Sequence, residues 1–515
     1  MVNTQLFSTR RGRLLPTADA INEAGGSAYR LPARARLAQY LMTGALNGTF
    51  YADAADQLNA LLEAAEEVEP EFLARAAIHA RRKGYMKDAP ALIAALLTRK
   101  DARLARIVFE RVVDNGRMLR NFVQIMRSGQ TGRKSLGTGP KKLVQRWLER
   151  ADDLRLLNAS VGNQSSLADI LKMVHPRPAD AGREALYGWL IGKSVEESRL
   201  PPVVQAFEAF KRGEGEMPNV DFRLLTGLPL DSAQWKAIAL QAPWQMTRMN
   251  LNTFARHGVF DGETDAVVAA RLRDAEAIRR ARAYPYQLLA AILHTAREVP
   301  AAVKLALQDA LDISLANVPE LAGRVWVLVD VSGSMTSPVT GRRGSATSAV
   351  SCVQAAGLIA AAVLRKNPAA GVVAFDTEAR ALDLNPRDSV ATNTGRIADC
   401  VGGGTAVSSA FAWLNAQGAP GDTVILVSDS ESWADTGRGA TATMREWEAF
   451  RRRNPAARLA CIDLQPYGSV QAAPREDVLH VGGFSDAVFD LLASFSAGQM
   501  GSDLWVNEIE EVKLE

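Results

Sequence analysis

Two textures divide the chain. From about Arg30 to Ala316, Leu, Ile, Val and Phe return at three-and-four spacing in RLPARARLAQYLMTGAL (30–46), EFLARAAIHARRKGYM (71–86), DAPALIAALLTRK (88–100), DARLARIVFERVVDNGRMLRNFVQIMR (101–127), KKLVQRWLERADDLRLL (141–157), SSLADILKMV (165–174), EALYGWLIGK (184–193) and YPYQLLAAILHTAREV (284–299). That period predicts amphipathic helices. Short breaks at Gly84, at Asp88-Ala89-Pro90 and at His175-Pro176-Arg177-Pro178 separate them. Many short helices with no strand-like alternation stack most simply as antiparallel pairs, so an all-α helical-repeat solenoid is expected, structurally repetitive without a strict sequence period.

After LANVPELAGR (315–324) the pattern changes to short apolar or β-branched runs: VWVLVDV (325–331), GVVAF (371–375), DTVILVS (422–428) and RLACIDL (458–464), with helical stretches such as SAVSCVQAAGLIAAAVLRK between them. The alternation predicts parallel strands with crossover helices, and the unbroken hydrophobicity predicts a doubly wound α/β sheet covered on both faces. Ligands of such sheets bind at the carboxyl ends of the strands. Asp330 stands where the first run ends.

A length of 515 residues exceeds one compact core, and two main domains are expected. Apolar residues make up 47% and charged residues 23%, an ordinary globular balance, and no apolar run approaches the ~20 residues that span a bilayer. No membrane association is expected. The first twenty residues hold arginines but no apolar core behind them, so a secretory signal is not expected. Three cysteines, Cys352, Cys400 and Cys461, give no disulfide framework and fit a reducing, cytoplasmic setting.

The net charge of +3 hides a concentration. Between Glu71 and Arg150 there are 19 Lys and Arg against 6 Asp and Glu, so this segment carries +13 and the rest of the chain is net acidic. A basic face of this kind suits a polyanion, although a solvated helix surface reads the same way in sequence.

The end of the first strand concentrates oxygen. Asp330-Val331-Ser332-Gly333-Ser334 offers one carboxylate and two hydroxyls, GGGTA (402–406) offers Thr405 after three glycines, and LVSDSE (426–431) places Asp429 at the end of a later strand. Hard oxygens alone, without thiol or imidazole, suit a divalent cation such as magnesium. The same residue types are also favoured in turns and helix caps. Nucleophilic catalysis by Ser332 or Ser334 lacks a base: His480 is the one histidine in this half, and no G-x-S-x-G, phosphate-binding G-x-x-x-x-G-K-[ST] or H-E-x-x-H pattern occurs. No enzyme is expected.

This D-x-S-x-S, Thr and Asp series, in order and each at a strand end, resembles the metal-ion-dependent adhesion site of von Willebrand factor A domains. The resemblance implies that Asp330, Ser332, Ser334, Thr405 and Asp429 hold the metal directly or through water. Joined to an all-helical amino-terminal half, it resembles the Ro autoantigen family, in which a helical TROVE module accompanies such a domain. RLAQYLMTGALNGTFY (36–51) is similar to the family's opening helix and Gly-Thr-Tyr-Tyr turn, with Phe50 in place of the first tyrosine; APALIAALL (89–97), KKLVQRWL (141–148), LADILKMVHPRP (167–178), RARAYPYQLLAAI (280–292) and VVAFDTEA (372–379) follow in the family's order. A bacterial-type member is implied. The domains expected are an amino-terminal arm (1–28), the TROVE module (29–318), the A domain (319–500) and an acidic carboxyl-terminal tail (501–515).

What the resemblance implies is a HEAT-like ring closed by the A domain, with Y RNAs on a basic outer surface and single-stranded 3′ ends of misfolded RNA in its central hole. It implies work in RNA quality control and ribosomal RNA maturation beside an exoribonuclease of the polynucleotide phosphorylase type. His175 matches a family histidine on the Y RNA surface, and Lys141, Lys142 and Arg146 match a basic stretch. The family's neighbouring Lys and Arg positions hold Asn158 and Gly162 here, so the grip is expected to move to other basic residues: Arg81, Arg82, Lys83 and Lys87, or Arg117, Arg120, Arg127, Arg133 and Lys134. GQTGRKSLGTGPKK (129–142) reads as a flexible glycine-rich basic loop. A different class of reading is a metal-dependent protein-interaction scaffold, in which the A-domain cation takes a partner's acidic side chain.

Overall fold

The computed structural model of the protein describes residues 15–43, 46–162, 165–281, 285–315, 318–344, 350–435, 439–483, 487–498 and 503–515. Parts of four expected features, the arm (1–14), the opening-helix motif (44–45), the 280–292 motif (282–284) and the tail (501–502), lie outside the described residues. The rest divides into two compact units. One comprises the described residues within Met1–Gln39, Asn47–Ala60 and Val318–Trp505, the other those within Tyr40–Leu46, Leu61–Asn317 and Val506–Glu515.

In the second unit the helices follow the apolar period. Pro70–Arg82 packs on Asp88–Lys100 and on Ala102–Val112, and Asp88–Lys100 packs on Gly116–Ser128. Asp88–Lys100 is buried on every side from Ala89 to Leu97, as the apolar run APALIAALL demands of a central helix. The stretch 101–127, read as continuous from its apolar spacing, is two helices. Asn115 ends the run because its side chain accepts from the Met118 amide at 3.0 Å and caps a new helix, while the Phe109 and Phe122 rings meet edge-on across the turn at 4.9 Å. Asp88-Ala89-Pro90 is a helix start instead of a break, since proline is tolerated in a first turn. The loop expected over 129–142 is shorter than its glycines suggest: helix Thr138–Arg150 already contains Gly139, Pro140, Lys141 and Lys142. Gly129, Gly132 and Gly137 take positive φ in the ordered turn before it. No described helix is long and apolar enough to cross a membrane.

The first unit carries β1 (Ala20–Ile21), β2 (Ser27–Arg30), β3 (Val325–Asp330), β4 (Gly371–Phe375), β5 (Ala379–Leu382), β6 (Thr423–Ser428), β7 (Arg458–Asp463), β8 (Ser469–Val470) and β9 (Val478–Gly482). The main sheet runs β5-β4-β3-β6-β7-β9, parallel except for the antiparallel edge β5. Strands β3 and β6 are buried at every position, in keeping with their unbroken apolar runs. Beneath one face Trp447 stacks on Phe450 and meets Phe411 edge-on, and its indole N–H donates to Asp477 Oδ2 at 2.8 Å. The linear domain order expected from sequence is interleaved here. Tyr29 and Arg30 of β2 pair with β8, drawing the segment before Gln39 into this unit, and the chain after Trp505 packs with the helices. The three cysteines are free thiols, Cys352 and Cys461 buried.

Candidate functional site

The carboxyl ends of β3 and β6 lie side by side because the two strands pair in parallel register from Val325 and Thr423 onward. Past β3 the backbone is tied to two neighbouring loops: the Val331 amide donates to Phe375 O at 2.8 Å, Gly402 N to Val331 O at 2.8 Å and Gly333 N to Gly403 O at 3.1 Å. These bonds hold the glycine loop, and with it Thr405, at the end of the first strand. A Cβ at Gly404 would stand 2.4 Å from the Trp433 ring, so a larger residue there requires that half-exposed ring to shift.

Asp330, Ser332, Ser334, Thr405 and Asp429 are all at most 4% exposed. Asp330 Oδ1 accepts from the Ser332 amide at 2.9 Å, and its Oδ2 accepts from the Ser428 hydroxyl at 2.6 Å. The Ser332 and Ser334 hydroxyl oxygens are 3.2 Å apart. Asp429 receives the Glu431 amide at 3.3 Å on Oδ1, while its buried Oδ2 has no hydrogen-bond partner among the described residues. Burial, followed by the charge of Asp429, pushes the Asp330 carboxyl up to about 7, and burial raises Asp429 as well. Two adjoining buried carboxylates with an orphaned oxygen are costly unless a cation neutralises them, and the all-oxygen donor set fits a hard divalent ion. Among the described residues no three His, Cys, Asp or Glu side chains are placed to hold a metal, so a cation here depends on the hydroxyls as well as on the two aspartates.

Sequence reasoning missed three neighbours. Glu431 is fully buried, and burial followed by Asp429 pushes it up to about 9; Asp463, at the end of β7, is raised well above the carboxylate range by burial and then Asp429. Tyr51, from a distant part of the chain, is pushed up to about 12 by burial and then by Asp429, against the lowering contact of the Ser334 hydroxyl. Glu431 and Asp463 could have been flagged as acids at strand ends. Nothing in the spacing of Tyr51 points to this place.

In the helical unit the candidate cations separate by what they touch. Arg81 is committed to Asp114, 2.7 Å away, and donates to the carbonyls of Tyr85 and Met86. Arg133 donates to Thr98 O at 3.0 Å, and Lys87 is the cap residue of helix Asp88–Lys100. Arg120 is buried and donates to Ala159 O at 2.6 Å, with exposed Arg117 in its vicinity. Arg82 and Lys83 share a cleft of about 560 Å³ with Glu508, Glu511 and Lys513 of the carboxyl-terminal segment. Expected as an acidic tail, that segment is helical over Leu504–Glu510, and Arg75 Nη1 donates to Glu510 O at 2.7 Å.

Arg127, Lys134 and Lys141 converge instead on a cleft of about 610 Å³, completed by Ser135, Leu136, Gly137, Thr138 and Met173, with no acidic side chain in its lining among the described residues. Lys142 and Arg146 lie exposed one turn apart on the same helix as Lys141. His175 is exposed in a left-handed conformation, φ 50°, where it ends helix Leu167–Val174.

Residues 324–496 match the family model described as the Ro60 vWA domain. The chain is 26% identical over 524 residues to the RNA-binding protein RO60 of Deinococcus radiodurans, covering 93% of this chain and 95% of that one. A Caenorhabditis elegans RNA-binding protein RO60 is 24% identical over 336 residues, 59% of this chain and half of its own length. The crystal structure of the Deinococcus radiodurans RO protein shares the fold, with a TM-score of 0.61 at 22% identity over 91% of this chain and all of that one.

In this chain the positions expected to carry the missing Lys and Arg have structural duties. The side-chain Oδ1 of Asn158 accepts from the Asp221 amide at 2.7 Å. Gly162 takes φ 122°, and a Cβ there would meet the Arg120 guanidinium at 3.0 Å. A long cationic side chain fits neither arrangement unchanged.

Proposed function

We propose that this protein binds RNA through the basic face of its helical unit, without catalysing a reaction on it. The observation that carries the reading is the cleft of Arg127, Lys134 and Lys141: three cations, no lining carboxylate among the described residues, and exposed Lys142 and Arg146 on the helix of Lys141. Phosphates are the ligands such a group selects, and release of their counterions supplies most of the affinity. Two relatives named RNA-binding proteins support the same reading. The finer reading rests on the family resemblance: Y RNAs on the basic surface, single-stranded 3′ ends of misfolded RNA in a central hole, and an exoribonuclease partner in RNA quality control. Shape and splayed ends, not duplex sequence, would then discriminate among RNAs.

The A domain has a separate role in this proposal. Asp330, Ser332, Ser334, Thr405 and Asp429 hold a divalent cation, magnesium by its hard-oxygen set, whose charge attracts an acidic group. This is the part of the protein that the scaffold reading would use. To test the RNA reading, a fluorescent small structured RNA is titrated with wild type and with Arg127→Ala/Lys141→Ala. The double variant is expected to lose about tenfold in affinity and to flatten the salt slope by roughly one per phosphate contact removed. Unchanged affinity and slope would refute the assignment of the cleft.

A further inference from the structure

The segment Asn47–Tyr51 is anchored on the rim of the A-type sheet. At its start Asn47 Nδ2 donates to Thr340 O at 2.8 Å and the Arg342 amide donates to Gly48 O at 2.7 Å. Gly341, at φ 71°, makes the approach feasible, since a Cβ there would stand 2.7 Å from that of Asn47. In its middle the turn closes on itself, with the Thr49 amide donating to Ala52 O at 2.8 Å. At its end the Tyr51 amide points to the Tyr467 hydroxyl at 3.5 Å, and the two rings meet edge-on at 5.8 Å. Clamped at both ends, the turn brings the Tyr51 phenol against the Ser334 hydroxyl and into the field of Asp429, Glu431 and Asp330.

We propose that Tyr51 belongs to the cation site, its phenol oxygen covering the face beside Ser334 that an outside acidic ligand would otherwise use. The inference rests on the cation site proposed above. A phenol adds a hard oxygen without adding charge, so it completes an oxygen shell while leaving the two aspartates to balance the ion. Because the turn is held at Thr340, Arg342 and Tyr467, an external carboxylate reaches the cation only where Tyr51 has moved aside or is absent.

Terbium(III), a luminescent hard cation, serves as the probe on the full chain, and its lifetimes in light and heavy water count the waters bound to it. Wild type is expected to bind terbium saturably, Asp330→Ala to lose that binding, and acetate to leave the wild-type count unchanged. Tyr51→Phe should keep the binding and gain about one bound water, and acetate should then displace it. Tyr51→Ala removes the ring as well and should show the same or a larger gain. If both Tyr51 variants match wild type in hydration and acetate response, the Tyr51 inference is overturned and the cation site stands. If wild type shows no Asp330-dependent terbium binding, the site itself falls and Tyr51 with it.

Discussion

At the scale of single residues, the A-domain oxygen cluster and its supports make the sharpest commitments. Asp330→Ala removes one of two buried carboxylates, so the magnesium-dependent rise in melting temperature expected for wild type should vanish. For a ligand at a hundred times its Kd that rise corresponds to about 2.7 kcal/mol. RNA affinity of the same variant should stay within twofold, because the candidate phosphate residues belong to the helical unit. Gly404→Ala drives a methyl into Trp433 and is expected to cost about 1–3 kcal/mol in a denaturant titration. His480 on β9 titrates in the other direction from a paired group: burial holds it down to about 4 from its ordinary 6.5, so the folded state favours neutral imidazole. Stability from this source is complete above pH 6.5 and is lost as pH falls toward 4. His480→Gln should therefore flatten the decline of melting temperature between pH 6.5 and 4 relative to wild type; an unchanged slope would show that His480 does not titrate as its burial requires.

At the scale of elements, some basic and polar side chains hold helices in place and others face solvent, where a ligand can meet them. Asn115→Ala removes the cap of helix Gly116–Ser128 and should cost about 1 kcal/mol. Arg81→Ala, which breaks the pair with Asp114, should lower thermal stability yet leave the salt slope of RNA binding alone, whereas Lys142→Ala/Arg146→Ala should do the reverse. The elements themselves were unevenly legible. VWVLVD, GVVAF, TVILVS and RLACID announce themselves because strands covered on both faces are apolar without interruption. ARAL (379–382), a half-exposed antiparallel edge, and VLHVG, with a histidine in its middle, carry too little of that signal. The two residues of β8 mean nothing until β2 pairs with them. Glycine content misled over 129–142, because a helix begins at Thr138 despite Gly139 and Pro140. The metal-type residues could be read from identity and strand-end position, as short-range information suffices for them. Tyr51 could not, since only the tertiary anchoring of its turn on Thr340, Arg342 and Tyr467 carries it to Ser334.

At the scale of the molecule, the decisive feature is the separation of charge. The +13 of residues 71–150 lies in the helical unit, and the buried acids Asp330, Asp429, Glu431 and Asp463 lie in the other. Part of that basic charge is already engaged within the chain, by Asp114 at Arg81 and by the Glu510 carbonyl at Arg75, while Arg82 and Lys83 line one cleft with Glu508 and Glu511. The cleft of Arg127, Lys134 and Lys141, with the neighbouring exposed Lys142 and Arg146, is placed to meet a polyanion. Sequence counting located the charge, and only the fold shows which cations remain available, because pairing is decided by contacts between helices far apart in the chain. The most direct test is the affinity of the full chain for one small structured RNA from about 50 to 200 mM salt, where five phosphate contacts would lower it by roughly two to three orders of magnitude. A straight, steep fall of log affinity against log salt, made shallower by Arg127→Ala/Lys141→Ala, is the predicted result; no binding near physiological salt, or binding indifferent to salt, would contradict the account.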